Sequence, residues 1–156
     1  MAVTRTLSNH FKTELGKGTI DFSDATAGAF RVILMTTAYA FDRETHDTYL
    51  DIKASEITTA GGYEKLTKPL VADSVWTQDD VNNKAAIAWE NVTWTASAAA
   101  FDAIGSAVIL QYDVGGEAAG DDSIVVGCID FGTDYTVDDG VSFQLQNLGF
   151  DLTQAA

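Results

Sequence analysis

The chain has 156 residues, of which 46% are hydrophobic, and a formal net charge of −14 at pH 7. That length suits one domain with a sizeable core, and a single proline with 10% aromatic residues argues against a disordered protein. No lysine or arginine follows Lys84, so we expect neither a nucleic acid nor a membrane as a partner. One cysteine excludes an internal disulfide, and no apolar run resembles a signal peptide or a membrane-spanning helix.

The N-terminal segment predicts one short helix. Leu7, Phe11 and Leu15 recur at intervals of four residues and therefore share one helical face. Thr6 or Ser8 is a suitable N-cap, and Gly16 and Gly18 are suitable ends. A helix with so narrow an apolar stripe is marginal alone. It must bury the stripe against its own domain or against a partner.

Charge marks the same segment as a candidate contact with a partner. The first twenty residues have a net positive charge, whereas the later regions are neutral to strongly acidic. Basic side chains there would complement an acidic partner and steer association. We therefore divide the chain into an N-terminal arm, residues 1–20, and a β-domain, residues 21–156. The candidate contact residues are Arg5, Phe11, Lys12, Leu15 and Lys17.

After the arm, the hydrophobic pattern changes to a period of two. The stretch FRVILMTT begins at Phe30 and is apolar on both faces. Phe30, Val32 and Leu34 share one face, and Ile33 and Met35 share the other. This pattern predicts a strand that is covered on both sides.

Turn signals divide the middle of the chain. Gly61-Gly62 predicts a turn between a short edge strand and a return strand. The polar stretch 78–84 predicts the turn of a hairpin. The alternation changes phase at Glu90-Asn91, which predicts a bulge or bend.

The C-terminal half predicts further strands in SAVILQYD and DSIVVGCIDF, joined by the loop VGGEAAGD. Asp139-Gly140, flanked by alternating residues, predicts a hairpin with a type I′ turn. A change of phase near Asn147 predicts a second bulge. Roughly eight to ten short strands with one helix indicate an all-β domain, either a β-sandwich or a jelly-roll-like barrel.

The segment 121–143 contains six aspartates, which raises the question of a metal site. From Asp130 the spacing lacks acidic residues at the third and twelfth positions of a calcium-binding loop. Aspartate favours turns, which accounts for these residues without a ligand. We expect neither a metal nor a cofactor, although a calcium site built from neighbouring loops stays open.

Catalytic groups are not evident in the sequence. No pair of carboxylates stands out among 23 acidic residues. Cys128 shares a predicted strand face with Ile124 and Val126 and has no basic neighbour in the sequence, which favours a buried, unreactive thiol. His10 and His46 lack the spacing of zinc ligands. We expect a protein that is not an enzyme.

The aromatic residues allow two interpretations. Trp76, Trp89 and Trp94, with Tyr63 and Tyr112, fit either a hydrophobic core or a platform on which a sugar stacks. Aromatic residues in strands are more often part of the core. A carbohydrate-binding module stays open as the alternative.

Several motifs occur together in a fixed order along the chain. They are NHFKTELGKGTIDF, FRVILMTTAYAFDRETHDTYLDIKASEITTAGGYEKLT, NVTW, GSAVILQYD and CIDFG. In this order the chain resembles a family of small structural proteins from the virions of tailed bacteriophages, along most of its length. None of these motifs is catalytic, so the resemblance depends on their order.

The resemblance implies a non-enzymatic virion protein made in the host cytoplasm. A capsid decoration (cement) protein fits best, on the exterior of the head. It would bind the major capsid protein and stabilise the expanded head. A homotrimer is expected because decoration proteins often occupy threefold sites. The alternatives are a tail or head-fibre component that binds host glycan and a calcium-assisted hydrolase.

Overall fold

The computed structural model describes residues 2–20, 29–70, 77–82, 84–113 and 120–153. The elements in these ranges are β1 (Thr4–Leu7), α1 (Asn9–Lys17), β2 (Phe30–Thr36), α2 (Tyr49–Ile52), a 3₁₀ turn (Lys53–Ser55), β3 (Thr77–Asp79), β4 (Lys84–Trp89), β5 (Val92–Thr95), β6 (Ile104–Gln111), β7 (Ile124–Tyr135), β8 (Ser142–Leu145) and β9 (Leu148–Thr153). The predominance of strands confirms the predicted all-β, sandwich-like fold. The sequence did not predict β1 or α2. Within these ranges, no helix is long and apolar enough to cross a membrane.

The strands form three antiparallel sheets. The largest has the order β1-β7-β6-β2, the second has the order β3-β4-β9, and β5 pairs with β8. Side chains from all three sheets meet in one large hydrophobic core. A smaller core covers the other face of the four-stranded sheet.

Strand β2 is covered on both faces, as its sequence predicts. Val32 and Leu34 point into the larger core, and Ile33 and Met35 point into the smaller core. All four side chains have no exposed surface. Its pairing with β6 places it at one end of the four-stranded sheet.

The N-terminal helix is also confirmed, but Leu7 lies in β1 and not on the helical face, and Gly16 lies within the helix. The Ser8 hydroxyl accepts hydrogen bonds from the amides of His10, at 3.1 Å, and Phe11, at 3.4 Å. Gly18 ends the helix with a φ of 75°. Phe11 packs into the larger core, and β1 pairs with β7. The residues of the predicted arm therefore belong to the same sheet and core as the β-domain.

The predicted turns in the middle of the chain are present. Gly61 and Gly62 have φ values of 60° and 86°. The segments around them make isolated bridges and not the regular strands that the sequence predicts. Strands β3 and β4 form the predicted hairpin. The change of phase at Glu90-Asn91 is where the chain leaves β4 for β5, which lies in another sheet.

The hairpin predicted at Asp139-Gly140 is wrong. The turn itself exists, because the amide of Val141 donates to the carbonyl of Asp138 at 3.0 Å and Gly140 has a φ of 79°. Asp139 does not have the positive φ that a type I′ turn requires. Strand β8, which follows the turn, pairs with β5 and not with β7. Local alternation identifies a turn, but tertiary contacts choose the partner strand.

The predicted neighbours of Cys128 need a correction. Its pairing with β6 shifts between Ile109 and Leu110, which marks a bulge in this part of the sheet. The bulge turns Val126 toward the larger core, whereas Cys128 lies in the smaller core with Val125. Cys128 and Val126 therefore lie on opposite faces of the sheet.

Candidate functional site

A groove of about 1290 Å³ lies between β1 and the paired strands β4 and β9. Arg5, Thr6 and Leu7 form one wall, to which α1 contributes Lys12. Arg43, from the loop that precedes α2, lines the groove as well. We refer to this region as the β1 groove.

The floor of the β1 groove is unusually bare. Alternation along β4 buries Ile87 and Trp89, so Ala86 and Ala88 face the other way. Ala88 pairs with Gly149 across the strands. None of these three floor residues has a side chain larger than a methyl group. Because these side chains are small, a partner can approach the backbone of β4 and β9 closely.

Cations line the β1 groove without carboxylate partners. Arg5, Lys12 and Arg43 form no ion pair with the described residues. The ion pairs in this part of the chain join Lys17 to Glu14, Lys53 to Asp121 and Lys84 to Asp151. The Arg5 guanidinium donates a hydrogen bond to the carbonyl of Asn147 at 3.2 Å. Three uncompensated cations in one place are notable in a chain with a net charge of −14.

Two acidic residues also line the groove but do not reverse its sign. Asp151 is bound to the Lys84 ammonium at 3.0 Å. Glu90 remains as the other acidic lining residue. The β1 groove therefore carries a net positive charge, which favours an anionic partner.

Strand β1 presents unpaired backbone groups. It lies at the end of the four-stranded sheet and has β7 as its partner. The amide of Ser8 donates to the carbonyl of Val126 at 3.0 Å. Backbone groups alternate in direction along an antiparallel strand, so those of Thr6 also face β7, and those of Arg5 and Leu7 face away from it. The described residues supply no hydrogen-bond partner for these outward groups.

Trp89 carries an unpaired donor inside the core. Its side chain is 4% exposed and lies between Phe30, at 5.6 Å, and Phe150, at 6.4 Å between ring centroids. The indole N–H has no acceptor among the described residues. The nitrogen is buried on the core side of β4, opposite Ala86 and Ala88, so a partner in the groove does not reach it.

The structure separates the predicted contact residues. Arg5 and Lys12 line the β1 groove, but Lys17 does not, and its ammonium lies 2.7 Å from the Glu14 carboxylate. Phe11 has no exposed surface and Leu15 is half-buried against the same core. Phe11 is therefore not available to a partner, because the apolar stripe of the helix is buried on its own domain.

Arg43 was not among the predicted contact residues. The amide of Asn9 donates to the carbonyl of Arg43 at 3.0 Å, which holds this loop beside the start of α1. The side chain enters the groove from a segment far along the chain. No local pattern indicates that proximity.

Cys128 is buried, as predicted. Burial raises the pKa of its thiol to about 12. Little thiolate is therefore present at neutral pH. The residue lacks the activated state that a nucleophile needs.

Two of the six aspartates of segment 121–143, Asp121 and Asp130, have structural partners. Both carboxylate oxygens of Asp121 lie 3.0 Å from the Lys53 ammonium. Asp130 accepts a hydrogen bond from the amide of Gly132 at 2.8 Å. Within the described ranges, no group of three or more histidine, cysteine or acidic residues is arranged to hold a metal ion. Most of the preceding loop, residues 114–119, lies outside these ranges.

The aromatic side chains mainly build the core. Trp89, Trp94 and Tyr63 are buried, which confirms the core interpretation for them. Tyr112 is half-buried, and Trp76 lies outside the described residues. The buried rings have no free face for a sugar to stack on.

The histidines have different settings. His46 stacks on Tyr39 with ring centroids 5.5 Å apart, and its Nδ1 atom lies 3.1 Å from the amide of Asp42. His10 is half-buried on α1. The ring of His46 therefore packs within its own loop and has a structural role.

The β1 groove combines three uncompensated cations, a bare floor and a strand edge with free backbone groups. This arrangement can bind an extended anionic chain, but it has no assembled nucleophile or acid–base pair among the described residues. No protein-family model, curated protein or solved structure matches the chain.

Proposed function

We propose that this protein is a non-enzymatic structural protein of a tailed-bacteriophage virion, most specifically a capsid decoration (cement) protein. It binds the major capsid protein on the exterior of the head. The motifs in NHFKTELGKGTIDF, FRVILMTTAY and CIDFG support the virion class by resemblance. The β1 groove supports the idea that the protein works through a docking surface.

The observation that carries the proposal is the cluster of Arg5, Lys12 and Arg43 in a chain with a net charge of −14. Like charges elsewhere on the surface repel anionic partners. A localised positive groove orients an approaching acidic surface and selects one docking geometry. That property suits a protein that must occupy one repeated position on a shell.

Decoration acts by mass action. A protein that binds only the expanded head lattice stabilises that lattice by an amount that grows with its free concentration. The remaining acidic surface would face solvent and keep the decorated particles apart. Because no chemical step is involved, stabilisation of the shell is the activity to measure.

The oligomer belongs to the same proposal. A homotrimer matches a threefold position on a capsid and forms a closed symmetrical assembly. Sedimentation equilibrium of the free protein, followed by measurement of the stoichiometry on heads, separates a preformed trimer from monomers that assemble on the lattice.

The direct test mixes purified protein with undecorated expanded heads and measures co-sedimentation and the temperature at which the heads release DNA. We expect saturable binding and a higher release temperature. Lys12→Glu and Arg43→Glu should weaken binding by roughly tenfold or more, because each replaces an attraction with a repulsion. Lys17→Glu is the matched control, since Lys17 lies outside the groove.

Two results would contradict the proposal. One is the absence of binding to expanded heads at low and moderate salt. The other is strong binding to a host-glycan array by the same preparation, which would favour a tail or head-fibre role. Binding to purified tails in place of heads would likewise move the protein to another part of the virion.

A further inference from the structure

We infer that the β1 groove receives an extended, acidic segment of the partner, which adds to β1 as an extra strand. The identity of that partner as the capsid protein rests on the proposed function. The shape and charge of the segment rest on the groove itself.

The extended conformation follows from the edge of β1. Arg5 and Leu7 each direct one N–H and one C=O away from β7, toward the groove that both residues line. A strand laid beside β1 pairs with these groups in the regular pattern of a sheet. A docked helix satisfies its own backbone hydrogen bonds and would leave these groups unpaired.

The acidic character of the bound segment follows from the cationic side chains in the walls of the groove. Arg5, Lys12 and Arg43 approach the groove from a strand, a helix and a loop. A strand places alternate side chains on the same face, so acidic residues at alternate positions of the segment can meet cations on one side. A neutral or basic segment would leave the cations uncompensated.

The floor completes the description of the segment. Ala86, Ala88 and Gly149 leave room for side chains or backbone to approach the β4–β9 pair.

The first experiment measures hydrogen exchange of the full-length protein, free and bound to undecorated expanded heads. We expect the amides of Arg5 and Leu7 to become protected on binding. The amide of Thr6 should already be protected in the free protein because it faces β7. Binding to heads without protection of β1 would overturn the inference and leave the proposed function in place.

A proline variant isolates the backbone contribution. Arg5→Pro removes an outward N–H without interrupting the hydrogen bonds between β1 and β7. Arg5→Ala removes the same charge and keeps the N–H. We expect Arg5→Pro to bind heads at least several-fold more weakly than Arg5→Ala, with both variants folded by circular dichroism. Equal binding by the two variants would overturn strand addition.

A second experiment tests the groove without heads, so that its failure can be distinguished from failure of the decoration proposal. The probe is a fluorescein-labelled peptide of about three Glu-Val repeats, the length of an average strand. A peptide of Gln-Val repeats is the neutral control. We expect the acidic peptide to bind more tightly in fluorescence anisotropy, despite the negative charge of the protein, and salt to reduce the difference.

Charge variants connect the two experiments. Lys12→Glu should reduce binding of the Glu-Val peptide by roughly tenfold, and Lys17→Glu should have little effect. Equal binding of both peptides, or of neither, would overturn the acidic groove even if the heads bind. Protection of β1 that rises with the concentration of free protein would assign the edge to a second copy and would also overturn the inference.

Discussion

The two edge strands of the four-stranded sheet, β1 and β2, differ in whether another described segment covers their outward backbone groups. Along β2, the segment 56–70 covers the edge and supplies hydrogen-bond partners. The amide of Val32 donates to the carbonyl of Lys68 at 3.0 Å, and the carbonyl of Leu34 accepts from the amide of Ile57 at 3.0 Å. Along β1, the outward backbone groups have no such cover among the described residues.

The cover on β2 is fastened by a buried carboxylate. Glu56 is 2% exposed and accepts hydrogen bonds from the hydroxyls of Tyr49 and Tyr63 and from the amide of Leu66. The Tyr63 hydroxyl also accepts from the amide of Leu34 at 3.0 Å, which joins the network to β2. Burial and the neighbouring Glu56 raise the pKa of Tyr63 above its usual range, so its hydroxyl keeps its proton.

The comparison shows how this chain manages exposed strand edges. An unprotected edge invites unwanted pairing, and proteins normally cover or disrupt it. Here one edge is closed by a segment of the same chain, whereas no described segment covers the other, which lies beside charged side chains. An edge kept open in a sheet whose opposite edge is covered is a reason to assign it a use.

Proline substitutions should show the largest difference in stability between the two edge strands. Val32→Pro removes the amide that donates to Lys68 and a buried side chain, and we expect a loss of at least ~3 kcal/mol and little soluble protein. Arg5→Pro should cost less than about 1 kcal/mol, because its amide faces away from β7. Urea denaturation measures both values, and a similar loss in the two variants would show that β1 is not an open edge.

Removal of the buried carboxylate should have the next largest effect. Glu56→Ala leaves the donors of Tyr49, Tyr63 and Leu66 without their acceptor, and we expect a loss of roughly 3–5 kcal/mol in the free energy of unfolding. Glu64→Ala, an exposed glutamate in the same segment, should change it by less than about 0.5 kcal/mol. Equal effects in thermal or urea unfolding would mean that Glu56 does not fasten the cover.

The attachment of β1 depends on a close approach at Gly127. A Cβ atom there would lie 2.5 Å from the Thr6 carbonyl oxygen and 2.9 Å from the Phe150 ring. We expect Gly127→Ala to destabilise the protein by roughly 1–3 kcal/mol, because backbone on one side cannot yield easily. Gly16→Ala, in open space on α1, should stabilise it by about 0.5–1 kcal/mol. The two glycine variants should therefore shift the urea midpoint in opposite directions, and shifts in the same direction would contradict the close contact.

The smallest effect concerns pH at the covering segment. Hydrogen bonds from the hydroxyl of Thr58, at 2.6 Å, and its amide, at 2.8 Å, lower the pKa of Asp102 below its usual 3.8. The lowered pKa makes ionised Asp102 stabilising above the unfolded-state pKa, and this contribution is lost as pH falls through the folded-state pKa. Asp102→Asn should therefore be less stable than the wild type near neutral pH, and the difference should shrink in acid.

Urea midpoints measured between about pH 7 and pH 2 check this prediction. Thr58→Val removes the hydroxyl donor and keeps the amide, so it should change the acid dependence in the same direction by a smaller amount. A difference between Asp102→Asn and wild type that stays constant with pH would contradict the assignment.

Local sequence patterns predicted those elements in which the spacing of apolar or capping residues matches the buried and exposed faces of the fold. The two apolar faces of β2 match the two cores, and Ser8, one of the two predicted N-caps, caps α1. The hairpin at Asp139-Gly140 failed because a turn signal contains no information about which strand its flanks will join. Strand β1 was missed because its four residues, TRTL, are too few for a clear period.

The site was harder to predict than the fold. The charge of Arg5 and Lys12 stands out in the sequence, but their groove depends on Arg43 and on the bare face of β4, which come from distant segments. Glu56 gave no sign of burial, because one acidic residue in a polar stretch resembles any surface residue. Properties that arise only when separate segments meet cannot be read from local spacing.

The rate at which a reagent labels the single thiol of Cys128 can measure how often the smaller core opens. The side chain is 3% exposed, so a thiol reagent must wait for the protein to open before it can react. When reagent is so abundant that every opening leads to modification, the labelling rate stops depending on reagent concentration and equals the opening frequency. Since the sequence contains no other cysteine, mass spectrometry of the unaltered protein reports that frequency from a single position.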